Sequence, residues 1–410
     1  MRVLLATPVF PPARGGIETT ALRLATGLPG CEVHVVALDE DGAADHDPGL
    51  AVAGIERVPN VPRGGRRSLL SLNAAVMRAG RRIRPDVTLA LHVAATPAMR
   101  ALKARDGVPY VTYVHAKEAR LLPYLAAGAM PGAARVIVVS RYARALALEA
   151  GADPDRIREV SPGVDLPRGA PAPRAAAPTL VTVSRLEDRN KGHDVVIDAL
   201  PAIAARVPDI RWTVIGDGAL RPELERRVAD RGVARHVTFA GAVDDAARDA
   251  ALDAAWLYAM PTRVAPDGRG GEGFGIVYVE AAAHGAPAVA ARVPGVVDAV
   301  RDGVSGVLVA PEDPAAFAAA TIGLLTDPAR LSALRDGALT RAAELEWSAV
   351  AASAAAVLDE AVAARGRRTG GGRPRSGRRR LRRALWPADL VLPLSAQRPF
   401  AGTLPPGAGL

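Results

Sequence analysis

The chain has a single cysteine, Cys31, among 410 residues, so no internal disulfide can form, which fits a reducing compartment. No motif surrounds Cys31, and at the start of an apolar run it reads as buried filler rather than a nucleophile. Lysine is nearly as scarce, at Lys103, Lys117 and Lys191 only, against a large excess of arginine that reads as codon bias. The N-terminal Met-Arg-Val-Leu-Leu-Ala turns polar by Thr7-Pro8, too soon for the apolar region of a signal peptide. No run of eighteen apolar residues free of charge appears, so the sequence predicts no membrane span and a cytoplasmic body.

A formal charge of +9 raises the question of a nucleic-acid partner. Eleven arginines fall in residues 361–410 against Asp389 alone, so this stretch carries the excess and residues 1–360 are close to neutral. Binding single-stranded nucleic acid would call for aromatics interleaved with the basic residues, and the tail offers only Trp386 and Phe400. No nucleic-acid partner is expected. Two other readings of the tail remain: a solubilising extension, or adsorption through residues 365–392 to an anionic membrane, with Trp and Leu side chains entering the interface. The second would put the protein on the inner face of the cell membrane.

An apolar content of 49% and a mean hydropathy of +0.12 suffice for packed cores. The length exceeds what one core usually serves, so two domains are the starting expectation. Residues 2–7 form a short apolar run, followed by the loop around Gly15-Gly16 and a helical pattern from Ile17 to Leu28. Short runs recur at Val33–Leu38, Val87–Leu91, Tyr110–Val114 and Val136–Val139, with helix-length segments between them. Alternation of this kind predicts a parallel, doubly wound sheet. It stops in the proline-rich stretch Pro167–Pro178 and resumes at Leu180–Val183, with further strands at Trp212–Ile215, Val237–Phe239, Ala255–Met260 and Ala288–Ala290. The predicted organisation is a domain over 1–166, a linker over 167–178, a second domain over 179–346, a helix over 347–364 and a basic tail over 365–410. The fold class is α/β, two Rossmann-like doubly wound domains facing a central cleft.

Chemistry concentrates in a few loops. Glu272 and Glu280 stand eight positions apart around a glycine-bearing loop that opens a helix. Helix N-termini present unpaired amides and a positive dipole end, so Gly273, Phe274 and Gly275 can bind a diphosphate through backbone N–H. Glu280, one turn in, can accept hydrogen bonds from hydroxyls. The bland alternative is an ordinary capped helix with solvated carboxylates. Arg185 and Lys191 lie six apart on the loop after the first strand of the second half, where open α/β sheets bind ligands, and both can reach one diphosphate. Asp188 and Arg189 in the same loop can pair with each other. Gly15-Gly16 sits in the first βα turn, His115 follows a strand, and Gly216-Asp217-Gly218 forms a further strand-to-turn element beside the nucleotide. Asp153-Pro154-Asp155 reads as a turn or helix start rather than a metal pair.

Taken in order, Gly-Gly-Ile-Glu at 15–18, His115, Val-Ser-Arg-Tyr at 139–142, Pro-Gly-Val-Asp at 162–165, Ser-Arg-Leu at 184–186, Lys191-Gly192, Gly-Asp-Gly at 216–218 and the glutamate pair resemble the retaining glycosyltransferases of family 4 over about residues 1–364. The resemblance implies the two-domain glycosyltransferase B fold. It also implies that Arg185 and Lys191 neutralise the donor phosphates, Glu272 contacts the donor sugar, Glu280 holds the ribose, and Gly16 and His115 line the sugar side. Retention with a nucleotide-diphosphate sugar as substrate, and neither cofactor nor divalent metal, follows from the same source. Pro294-Gly295-Val296-Val297-Asp298 departs from the Gly-Gly pattern common in the family and alters one flank of the sugar pocket. The motif around Gly270–Tyr278 looks most like the phosphatidylinositol mannosyltransferases, which favours GDP-mannose as donor, with a UDP-sugar as the alternative. The competing functions are a nucleotide-sugar epimerase of the same fold and a non-catalytic nucleotide-sugar or nucleic-acid binding protein; acceptor-dependent release of nucleotide separates the transferase from these.

Overall fold

The computed structural model describes residues 1–60, 65–168, 173–264 and 272–369. Residues 169–172 of the proline-rich stretch expected as a linker, the Gly270-Gly271 pair and the basic tail beyond Thr369 lie outside the described residues. The first sheet has seven strands: β1 (Arg2–Thr7), β2 (Glu32–Leu38), β3 (Gly54–Val58), β4 (Val87–Ala90), β5 (Tyr110–Val114), β6 (Arg135–Val138) and β7 (Ile157–Glu159). The second has six: β8 (Thr179–Val183), β9 (Arg211–Ile215), β10 (Val237–Gly241), β11 (Leu257–Met260), β12 (Ala288–Ala291) and β13 (Gly306–Val309).

Strand order is β3-β2-β1-β4-β5-β6-β7 in the first sheet and β10-β9-β8-β11-β12-β13 in the second. The pairings of β1 with β2 and β4, and of β8 with β9 and β11, are parallel. In each sheet the order reverses at its first strand, so the loops leaving β1 and β4, and those leaving β8 and β11, open at a topological switch point. The loop after β1 carries Gly15-Gly16, the loop after β8 carries Arg185 and Lys191, and the segment after β11 leads to Glu272.

Central strands of a parallel sheet are covered on both faces and read as unbroken apolar runs. Val3, Leu4, Leu5 and Ala6 of β1 and Leu180 and Val181 of β8 are buried accordingly. The strands absent from the sequence expectation, β3, β7 and β13, all stand at sheet edges. Of these, β3 and β7 are half exposed and carry charge, Glu56 and Arg57 in one and Arg158 and Glu159 in the other, so their pattern resembles loop, whereas β13 is apolar and mostly buried.

The chain divides into two compact units, one of Met1–Tyr113, Tyr124–Val136 and the segment from Ala355, the other of Val114–Pro123 and Ile137–Ala354. In the first, the helix Gly16–Gly27 buries Ala21 and Leu24 and the helix Arg66–Ile83 buries Leu72 and Val76. In the second, Leu180, Ile197, Leu200, Trp212, Leu257 and Phe317 form the centre of a core. The Trp212 indole, fully buried there, donates to Thr182 Oγ1 at 2.9 Å.

The helix Trp347–Thr369 runs five residues past the expected end at Ala364. By length and composition it could cross a bilayer, contrary to the sequence reading. Its Trp347, Val350, Ala351, Ala354, Leu358 and Ala361 are buried within the protein, and Glu360 pairs with Arg135 at 2.7 Å, so its apolarity is that of a core helix. Cys31 is half-buried rather than part of a core, with Sγ 3.4 Å from the Pro29 carbonyl. Asp153 caps the 3-10 turn Pro154–Arg156 by accepting from Asp155 N–H, the turn its sequence suggests.

Candidate active site

The loop after β8 is fastened along its length. Ser184 N–H donates to Ile215 at 3.0 Å, Leu186 N–H to Asp217 at 2.9 Å, and Leu220 N–H returns to Leu186 at 2.8 Å. These bonds lay it directly against the Gly216-Asp217-Gly218 turn. Gly216 has φ +126° and Gly218 +154°, and a Cβ on either would run into the carbonyl of Ser184 or Leu186. The two glycines expected beside the nucleotide thus have a packing reason: they let two loops lie flush. Ser184 Oγ is 2.9 Å from His193 Nε2. Burial, assisted by nearby Lys191, pushes the His193 pKa down to about 4, so this ring is neutral at physiological pH.

Further along, Asp188 accepts from Asn190 N–H at 2.8 Å and caps the turn that carries Lys191. Arg189 does not pair with Asp188 as the sequence suggested; it reaches Glu223 at 2.6 and 2.5 Å, because Asp188 is turned back toward the main chain. Gly192, at φ +76°, is pressed against the Pro261 carbonyl, and Arg263 N–H donates to Asn190 at 2.8 Å. The segment after β11 is fixed in turn by Tyr278, whose hydroxyl donates to the Met260 carbonyl at 2.7 Å and meets Thr262 Oγ1 at 2.9 Å. Lys191 is therefore held on rigid backbone, while Arg185 is exposed and has no side-chain partner among the described residues.

Lys191 Nζ forms an ion pair with the Glu272 carboxylate, whose side chain is only 13% exposed. Beside it, the N–H groups of Gly273, Phe274 and Gly275 have no partner among the described residues. Gly275, at φ +93°, caps the helix Ile276–Ala283, and the Phe274 ring is buried. This loop is gripped from three sides. The Ser140 hydroxyl donates to the Gly273 carbonyl at 2.6 Å while capping the helix Arg141–Glu149. The His115 carbonyl occupies the place a Cβ on Gly273 would need, and the Glu272 carbonyl does the same at Gly295, whose φ is +85°. Arg141 joins the Pro294–Asp298 segment through Asp298 Oδ1 at 2.6 Å.

His115, buried, follows β5, and its N–H donates to Glu118 Oε1 at 2.6 Å. Burial lifts the Glu118 carboxyl to about 7 against the help of this bond. Glu280 lies in the second turn of the helix Ile276–Ala283 and lines a cavity of about 120 Å³ with Asp165, Arg248, Asp249 and His284. Burial raises the Glu280 pKa, Arg248 and His284 oppose that rise, and Asp249 and Asp165 add to it.

The structure thus assembles Lys191, Glu272, Gly273–Gly275 and His115, while Glu280, further along the helix that Gly275 caps, lines the cavity with Asp165 and Arg248. Gly15 belongs to the other unit, where it caps the helix Gly16–Gly27, accepts from Thr19 N–H at 2.9 Å and lies under the Glu18 carboxylate. Sequence reasoning assigned no role to Ser140, Arg141, Glu118 or Tyr278. Serine ahead of a helix is a readable N-cap signal, but nothing local announces a second bond to Gly273.

Residues 14–168 match the glycosyltransferase family 4 and residues 177–327 the glycosyl transferases group 1. The GDP-mannose-dependent alpha-(1-6)-phosphatidylinositol monomannoside mannosyltransferase of Mycolicibacterium smegmatis is 34% identical over 81% of this chain and 91% of its own length. The protein of the same description from Mycobacterium tuberculosis is 33% identical over 89% of this chain and 100% of its own. Among solved structures, sucrose-phosphate synthase from Thermosynechococcus elongatus has a TM-score of 0.73 at 21% identity, covering 88% of this chain and 99% of that one. Anabaena HepE in complex with UDP has a TM-score of 0.71 at 21% identity, covering 88% and 100%. Motifs, doubly wound sheets and relatives agree, and the chain belongs to the family 4 glycosyltransferases, hexosyltransferases with the glycosyltransferase B fold.

Proposed function

We propose that this protein transfers mannose from GDP-mannose to a lipid-linked acceptor of the phosphatidylinositol mannoside type, with retention and without a divalent metal. The observation that carries the reading is the Lys191 cation beside the amides of Gly273–Gly275, which have no partner among the described residues, an assembly suited to a leaving diphosphate. The activities of the two mycobacterial relatives supply the donor and acceptor class.

In this mechanism the anomeric carbon–phosphate oxygen bond breaks, the acceptor hydroxyl oxygen bonds to the same carbon from the same face, and its proton passes to the departing phosphate. Negative charge grows on the diphosphate, and Lys191, Arg185 and the loop amides stabilise it there. Before the donor enters, Glu272 holds Lys191 in place; afterwards Lys191 turns to phosphate, and Glu272 is released to the sugar hydroxyls. Glu280 accepts from the ribose, Gly216 and Gly218 shape the loop beside the nucleotide, and His115 serves the sugar side. The basic segment through residue 392 draws the enzyme to an anionic membrane on the cytoplasmic face, where such an acceptor resides.

The test is transfer from radiolabelled GDP-mannose or UDP-glucose into vesicles containing phosphatidylinositol mannoside. Mannosyl lipid formed with stoichiometric GDP supports the reading. Release of nucleotide at the same rate without acceptor, or transfer from UDP-glucose only, overturns it.

A further inference from the structure

Glu118 has no part in the chemistry above, yet it is a fully buried acid next to the site. It sits in the short helix Lys117–Leu121, and its Oε2 has no hydrogen-bond partner among the described residues. Burying a carboxyl with one oxygen unsatisfied is costly, and a small apolar residue would avoid the cost. What the longer acid can do is reach back three residues to the His115 N–H, at 2.6 Å. Between them lies Ala116 at φ +82°, a conformation that side-chain-bearing residues rarely hold without being forced. The turn so formed aims the His115 carbonyl at Gly273, filling the space where any Cβ would go. Gly273 is the first of the three residues whose amides have no partner among the described residues, and its own carbonyl is held by Ser140 at 2.6 Å.

We propose that Glu118 is a positioning residue: its carboxylate locks the His115 turn and, through the His115 carbonyl, sets where the Gly273–Gly275 amides stand. A change at Glu118 then reaches the transition state rather than ground-state donor binding, since misplaced donors lose the charge that develops during transfer. This rests on the donor-loop reading given under Proposed function.

The test compares Glu118→Ala, Glu118→Gln and Gly273→Ala in the full-length protein. Glu118→Ala is expected to lower kcat by about ten- to a hundredfold with donor KM within about threefold. Glu118→Gln, whose amide oxygen still accepts from His115 N–H, is expected to recover kcat to within about threefold of wild type. Gly273→Ala pushes the same contact apart from the other side and gives the alanine result even if Glu118→Ala does not fold. In parallel, amide hydrogen exchange of the 272–280 segment, measured without any donor, is expected to speed up about tenfold in Glu118→Ala and little in Glu118→Gln. Unchanged exchange, an equal loss in the glutamine and alanine variants, or wild-type kcat in Gly273→Ala overturns the proposal. If the wild type transfers no mannose, the donor reading fails while the exchange measurement still decides the role of Glu118.

Discussion

Replacing Lys191 by alanine removes a cation that is paired with Glu272 in the free protein and assigned to phosphate in the reaction. The two consequences differ in size and can be measured apart. For turnover, loss of one charge-assisted contact to a developing charge costs on the order of 3 kcal/mol, about a hundredfold in kcat. For stability, the change strands a carboxylate that is 13% exposed beside a lysine that was 24% exposed. Breaking a deeply buried pair costs about 3–5 kcal/mol, and the water still reaching this one reduces that to about 1–2 kcal/mol. The assay is steady-state GDP release with acceptor, alongside thermal unfolding, on Lys191→Ala, Glu272→Gln and the double variant. In the Glu272→Gln background no carboxylate is stranded, so the stability cost of Lys191→Ala should fall below about 0.5 kcal/mol. Its turnover cost should stay above about tenfold, because the partner in the proposed mechanism is phosphate rather than Glu272. Wild-type turnover in Lys191→Ala would refute the assignment to the leaving group, and an undiminished stability cost in the double variant would refute the role of the ion pair.

Glu280→Gln should raise donor KM about tenfold with kcat within about threefold, since a ribose contact is made equally in ground and transition states; a pure kcat loss in steady-state kinetics contradicts this. Burial pushes the Glu118 carboxyl up to about 7 in the folded chain from the ordinary glutamate value of 4.5, so the native state binds the extra proton between those values. Stability should accordingly decline as pH rises from about 4.5 through about 7, by on the order of 3 kcal/mol, and denaturant melts of Glu118→Gln should lack that slope. Deleting residues 370–410 should leave transfer to a water-soluble acceptor nearly unchanged while abolishing sedimentation with anionic liposomes, and salt should weaken the binding of the full chain. Full-length protein that stays in the supernatant at low salt removes the membrane role of the tail.

The central strands were legible because each is a short run of apolar residues buried on both faces, as in Val3–Ala6 and Leu180–Val181. Edge strands β3 and β7 were not, because half-exposed segments with Glu56, Arg57 or Arg158 have no pattern distinct from loop; the apolar, mostly buried β13 has no such explanation. The glycines divide in the same way. Gly15 and Gly275 read as turn residues from their positions before helices, and the structure finds them capping. The need for Gly216, Gly218, Gly273 and Gly295 arises from carbonyls of Ser184, Leu186, His115 and Glu272, and no local pattern could name those partners.

The local order of residues determined the alternation of strand and helix, the glycine-bearing helix start at Gly275, and the loops that carry Arg185, Lys191, Glu272 and His115. These follow from periodicity and turn chemistry, which act over a few residues. Tertiary structure alone decided that Lys191 meets Glu272 across eighty-one positions, that Ser140 reaches Gly273 across one hundred and thirty-three, and that Arg189 turns from its neighbour Asp188 to Glu223. Such pairings depend on which loops the fold packs against one another, and ion pairs and hydrogen bonds form between whatever polar groups then stand within reach. Charge and spacing can nominate the members of a site, but only the packing of loop against loop selects their partners.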